Sequence, residues 1–285
     1  MPDLPSISPY FGLTSRWIET RGEERIHYHD EGRGPPLIFV HGSAVGVSGA
    51  ANWWLNYPVL SQHFRCLAPD LIGYGLTEAD PDEEWGLTSW RDQIVRFADA
   101  LGLDRFVLVG NSLGGRISLE VARAHQDRVA GLITMGTVGL APPTPPPPRP
   151  VGEPWRSEEV LRSMAHMVYD ASLATAELIE TRLALVNAPG GAEKFFRASM
   201  ARNQSTAAAK LTADMLADFT VPTLLIHGRE DRIIPLSSSV ELVHAIPMAD
   251  LLVFSKCGHW AQIERLDDFN AVALNFAQKV FQIKD

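Results

Sequence analysis

Apolar runs of strand length recur through the chain, and several are continuous rather than alternating with polar residues. They are "PLIFV" ending at Val40, "FRCLAPD" ending at Asp70, "RFVLVG" ending at Gly110, "VAGLITMG" ending at Gly136, "PTLLIHG" ending at Gly228 and "DLLVFSKCG" ending at Gly258. A strand that is apolar on both faces must be covered on both, which suits a mostly parallel sheet packed between helices. Helical patterns fill the intervals. "TSWRDQIVRFADALGL" sets Trp90, Ile94, Phe97 and Leu101 at helical spacing, with Thr88 or Ser89 as a cap. "SLGGRISLEVARAHQ" follows a glycine-rich turn, and "LDDFNAVALNFAQKVFQI" aligns Phe269, Val272, Phe276 and Val280. Strand and helix in alternation predict an α/β fold.

The alternation breaks between residues 140 and 212. Seven prolines stand between Pro142 and Pro150, and helical patterns follow in "SEEVLRSMAHMVYD", "TAELIETRLALVN" and "AEKFFRASMARNQS". The proline run reads as an extended spacer, and the same composition suits docking to SH3-type partners. We expect a core over 1–139 and 213–285 that carries a helical cap over 140–212.

At 285 residues the chain can bury about three quarters of its extended surface, so it needs neither disulfide nor metal to fold. Cys66 and Cys257 sit beside apolar runs as small hydrophobes, and the nine histidines are scattered without a CxxC or HExxH pattern. No metal or cofactor is expected. The net charge of −9 argues against nucleic acid but leaves room for an anionic small molecule at a local positive site. "MPDLPSISPYFG" lacks the pattern of a signal peptide, and no run approaches eighteen apolar residues, so a cytoplasmic protein without membrane contact is expected.

The segment "GNSLGG", residues 110–115, places Ser112 between a strand-like run and a helical pattern. It fits the general Gly-x-Ser-x-Gly turn, which lifts a hydroxyl above the carboxyl end of a sheet. Read alone, the pentapeptide serves equally as an ordinary helix cap. A nucleophilic serine needs a base, and the base needs an orienting acid. His259 follows the last strand-like run and Asp231 the one before it, which puts all three at the same end of the sheet, in the order serine, acid, histidine. Glu230 is the rival acid and is read as solvated. The N–H of Leu113 and that of Ser43, in "HGSAVG", are the expected oxyanion donors, each worth about 3 kcal/mol in a transition state. His41 is read as organising that turn.

The pieces "HGSAVGVSGAANWW", "PDLIGYG", "VGNSLGGRISLEVA", "MVYD", "GREDRIIPL" and "FSKCGHWAQIERLDDFN" resemble the meta-cleavage product hydrolases, the carbon–carbon bond hydrolases of bacterial aromatic degradation. The resemblance runs from about Ile26 to Phe276. It implies an α/β-hydrolase fold with an inserted cap. The implied reaction converts a 2-hydroxy-6-oxohexa-2,4-dienoate, made by ring cleavage of a catechol, into 2-hydroxypenta-2,4-dienoate and a carboxylic acid.

It also implies Ser112, Asp231 and His259 as the triad, and Asn52, Asn111, Arg182 and Trp260 as groups that meet the substrate. A guanidinium suits the substrate's carboxylate and adjacent enol oxygen. Taken singly, the asparagines also suit bracing their loops, Trp260 packing, and Arg182 a solvated helix face. The resemblance further implies a homodimer or higher homo-oligomer. One departure concerns the glycine-rich turn, where Ala44 and Val45 replace the family's usual Gly-Pro-Gly pattern. An ester hydrolase with the same triad is the alternative reading.

Overall fold

The computed structural model describes residues 12–140 and 148–283. The strands are β1 (Ser15–Glu19), β2 (Arg25–Glu31), β3 (Pro36–Val40), β4 (Arg65–Pro69), β5 (Phe106–Asn111), β6 (Val129–Met135), β7 (Thr223–Gly228) and β8 (Ala249–Phe254). They form one sheet in the order β1-β2-β4-β3-β5-β6-β7-β8. β2 runs antiparallel to β1 and to β4, and the remaining pairs are parallel. The longer helices are α1 (Leu87–Ala100), α2 (Leu113–Ala124), α3 (Ser157–Met167), α4 (Ala176–Val186), α5 (Gly191–Ala208), α6 (Leu236–Ala245) and α7 (Leu266–Phe281).

The sheet explains why its strands read as unbroken apolar runs. Ile38, Val40 and Leu108 face one way and pack with Trp90, Ile94 and Phe97 of α1 and Ile117 of α2. Leu37, Phe39, Val107 and Val109 face the other way and pack with Trp53, Phe269 and Ala273. Both faces are covered, so both alternate sets must be apolar. The helices α3, α4 and α5 lie between β6 and β7 and form the cap. Val160, Met164, Leu178 and Ile179 of the cap share a third cluster with Val45, Ala51 and Trp260 of the core.

Two expectations are corrected, and one strand pair is added. The antiparallel β1–β2 pair goes beyond the sequence reading: β1 is an exposed edge, and β2 buries two paired histidines, His27 and His29. α1 starts at Leu87, so neither Thr88 nor Ser89 is its cap. Ser89 is instead the third residue, and its Oγ both receives the Gly86 N–H and donates to the Gly86 carbonyl, at 3.0 Å each. The last strand ends at Phe254, which leaves "SKCG" as the loop that delivers His259. Most of the proline run, residues 141–147, lies outside the described residues.

Candidate active site

Strand order decides which loops meet. From β3 the chain goes out to β4 and comes back to β5 on the other side of β3. The loops leaving β3 and β5 therefore part in opposite directions and open a crevice at the carboxyl ends of the strands. Ser112 leaves β5 into it, and residues 41–46 leave β3 beside it.

Ser112 has φ 56° and ψ −116°, a conformation that costs a non-glycine residue energy and that the surroundings must impose. Its N–H donates to the Met135 carbonyl at 2.9 Å, and its carbonyl accepts from the Arg116 N–H at 3.1 Å. The helix comes down on β3 so closely that a Cβ on Gly114 would stand 2.1 Å from the Val40 carbonyl oxygen. Leu113 opens α2, so its N–H has no acceptor one turn back and is available to an oxyanion.

His259 donates from Nδ1 to Asp231 Oδ2 at 2.7 Å. Asp231 Oδ1 accepts the N–H groups of Ile233 and Ile234 at 2.8 and 3.0 Å. Burial pushes the Asp231 carboxyl up, but His259 and the two N–H groups outweigh it and hold the acid below its usual range. A carboxylate on Nδ1–H fixes the ring orientation and selects the neutral tautomer whose lone pair is on Nε2. Ser112 and His259 line one cavity of about 370 Å³, together with Ser43, Asn52, Asn111 and Trp260.

The loop that carries His259 is clamped by two glutamates. Glu264 accepts from the N–H groups of Gly258 and Trp260 with one oxygen, and from Tyr169 of the cap with the other. Glu230 is not simply solvated, as expected: its Oε2 accepts the Cys257 N–H at 3.0 Å. Met167 of the cap accepts the His259 N–H at 2.6 Å. Sequence reading missed Glu264 and the role of the Met167 carbonyl. The only signal was an acid five residues after the histidine, within reach of the loop's unpaired N–H groups.

His41 organises the turn that leaves β3. Its Nδ1 donates to the Gly42 carbonyl and its Nε2 accepts the Leu71 N–H, an arrangement that needs the neutral ring, and burial lowers its pKa accordingly. The turn also meets two arginines. Arg202 of α5 donates from Nη1 to Ser43 Oγ at 3.0 Å, and Arg182 of α4 donates from Nη1 to the Val45 carbonyl at 3.0 Å. Gly46 has φ +60°, and a Cβ there would stand 2.1 Å from the Arg182 carbonyl oxygen, so Ala44 and Val45 are accommodated while this glycine is indispensable.

Arg182 is not on a solvated helix face. It is fully buried, does not itself line the cavity, and lies 4.9 Å from the ring of Trp260, which does. Its Nε and Nη2 find no partner among the described residues. Burial draws its pKa down to about 10, so it stays charged at neutral pH. Asn52 Nδ2 is also buried without a partner among the described residues, whereas Asn111 Nδ2 makes only long contacts, 3.4 Å to the His259 carbonyl and 3.5 Å to that of Met135. A buried cation and amide donors with spare valence, beside a serine–histidine–aspartate set, make a place for an anionic acyl compound.

The α/β-hydrolase fold family matches residues 35–159 and 198–266. The 2-hydroxy-6-oxo-2,4-heptadienoate hydrolase of Pseudomonas putida is 38% identical over 260 residues, covering 90% of this chain and 93% of that protein. The 2-hydroxymuconate semialdehyde hydrolase of a Pseudomonas species is 37% identical, covering 96% of each chain. A meta-cleavage product hydrolase of Pseudomonas fluorescens, solved as a serine-to-alanine mutant with acetates, superimposes with a TM-score of 0.83 at 33% identity, over 94% of this chain and 98% of that one.

Proposed function

The chain belongs to the meta-cleavage product hydrolase branch of the α/β-hydrolase family, and we propose how its site carries out that chemistry. The protein hydrolyses the carbon–carbon bond of a 2-hydroxy-6-oxohexa-2,4-dienoate-type ring-cleavage product. It releases 2-hydroxypenta-2,4-dienoate and a carboxylic acid. Serine, histidine and aspartate supply the chemistry.

Arg182, behind Trp260, favours the anionic dienoate end through its charge, and Asn52 and Asn111 supply hydrogen-bond donors to the substrate. His259 moves the enol proton to carbon, which turns the dienol into a ketone and the leaving fragment into an electron sink. Ser112 Oγ then attacks the distal ketone as His259 takes its proton. The negative charge forms on the former carbonyl oxygen, against the N–H groups of Leu113 and Ser43. As the carbonyl re-forms, the carbon–carbon bond breaks, its electron pair passes into the dienoate fragment, and His259 returns the proton there. Water, deprotonated by His259, cleaves the Ser112 ester and restores the hydroxyl.

The observation that carries this reading over ester hydrolysis is Arg182, a buried guanidinium beside the site with two donors unused. A neutral ester offers it nothing. The test is to follow loss of the yellow dienolate absorbance with purified protein and ring-cleavage products, with a simple aryl ester as control. Rapid bleaching with poor ester turnover is expected. Ester turnover without bleaching transfers the triad to the esterase reading.

A further inference from the structure

The cavity carries basic groups in its own lining, apart from Arg182, which lies behind Trp260. Arg116, one turn into α2, and Arg202 and Thr206, one turn apart on α5, line it together. They are contiguous: Arg116 Nη2 donates to the Ala209 carbonyl at the end of α5 at 2.8 Å, and Thr206 Oγ1 donates to the Arg202 carbonyl at 2.7 Å. No aspartate or glutamate lines the cavity among the described residues.

Charge balance here differs from the rest of the molecule. The chain has 34 acids against 25 lysines and arginines, and elsewhere its partly buried arginines find carboxylates, as Arg96 finds Glu24 and Arg65 finds Asp30. Arg202 does not. Its partners are the neutral oxygens of Ser43 and Asn203, and no carboxylate among the described residues comes within ion-pair distance. Arg116 is 1% exposed and has Glu120 as partner, but that one carboxylate also serves Arg123, and Arg116 Nη1 has no partner among the described residues. Two guanidiniums around one acid leave the wall positive before Arg202 is counted.

The two arginines on the turn that leaves β3 stand on different residues of it, Arg202 at Ser43 and Arg182 at Val45. We place the dienoate end towards Arg182, as in the reading above, and the acyl side towards Arg202, which lines the cavity itself. An alkyl or phenyl group there would strip water from a guanidinium and give nothing back.

We propose that the wall formed by Arg202, Arg116 and Thr206 is a second anion subsite, and that the substrate is a dianion with a carboxylate on its acyl side as well as on its dienoate end. The acyl-enzyme is then the half-ester of a dicarboxylic acid. Water adds OH to its carbonyl carbon and returns H to Ser112 Oγ, so the second product is that dicarboxylic acid. The proposal rests on the carbon–carbon hydrolase reading above.

The test compares three ring-cleavage products whose acyl substituents are 2-carboxyethyl, its neutral counterpart n-butyl, and methyl. The readout is the ratio of kcat/KM for the carboxyethyl to the butyl compound, which cancels any loss common to both. Wild-type protein is expected to favour the carboxylate on the order of tenfold or more, the worth of a charge-assisted hydrogen bond. R202Q is expected to abolish the preference, and R202K to keep most of it. A wild-type ratio at or below one, or a ratio that survives R202Q, overturns the proposal. Bleaching of the neutral compounds without a preference overturns this subsite alone, whereas no bleaching of any compound overturns the reaction with it.

Discussion

At Ser112, replacing the hydroxyl by hydrogen in S112A is expected to lower kcat by about 10⁴ or more while the dienoate still binds, as read by single-turnover bleaching and equilibrium dialysis. D231N keeps a hydrogen-bonding group against His259 but favours the wrong tautomer, so kcat should fall on the order of 10³–10⁴, whereas E230Q should cost far less. The comparison decides between neighbouring acids by chemistry. Asp231 touches the imidazole, whereas the Glu230 carboxylate accepts the Cys257 N–H and pairs with Arg229. R182M should raise KM and lower kcat/KM by on the order of a hundredfold, because the dienoate loses its cation. Ser112, Asp231 and His259 were legible in the sequence because each follows a recognisable strand end in a set order. Arg202 and Glu264 were not, since a cap arginine and a helix glutamate look solvated until their neighbours are known.

Two close approaches between elements lend themselves to testing. G114A places a methyl against the Val40 carbonyl and must push α2 off β3, at a cost of about 1–3 kcal/mol or more, read as a lower urea midpoint. E264Q replaces an oxygen that accepts N–H with an amide that donates, at the joint between the His259 loop and the cap. The expected result is a lower kcat with little change in KM, together with a lower melting temperature. The parallel strands β3 to β7 were legible because a doubly covered strand must be apolar at every position, and the edge strand β8 because its sequence is still largely apolar. β1 escaped that test as an exposed edge, and β2 because its buried face carries His27 and His29, which are paired with Asp70 and the Thr14 carbonyl. The start of α1 was misplaced because Ser89 satisfies Gly86 from inside the helix.

Across the whole molecule, Asp70 joins segments far apart in sequence. It is fully buried and accepts from His27 Nδ1 at 2.8 Å, the Gly49 N–H at 2.7 Å and the Leu76 N–H at 2.9 Å. Burial alone would raise its pKa, but His27, His41 and the Leu76 N–H bring it to about 2. An unfolded aspartate titrates near ~3.9, so between those values the unfolded chain binds the extra proton. The resulting stability is complete above the unfolded value and is lost as pH falls towards 2. Urea titrations at pH 5 and pH 2.5 should show wild type losing on the order of 2 kcal/mol more than D70N across that interval.

The sequence alone determined the fold class and singled out a serine, an acid and a histidine as candidates, because apolar periodicity and chain order are local and survive without coordinates. Only the tertiary structure decided the character of the cavity. Arg202 and Arg116 lie 86 residues apart and Arg182 belongs to another helix. Whether a guanidinium meets a carboxylate, a neutral oxygen or nothing depends on which elements the sheet order and the cap bring together, and no local pattern encodes that.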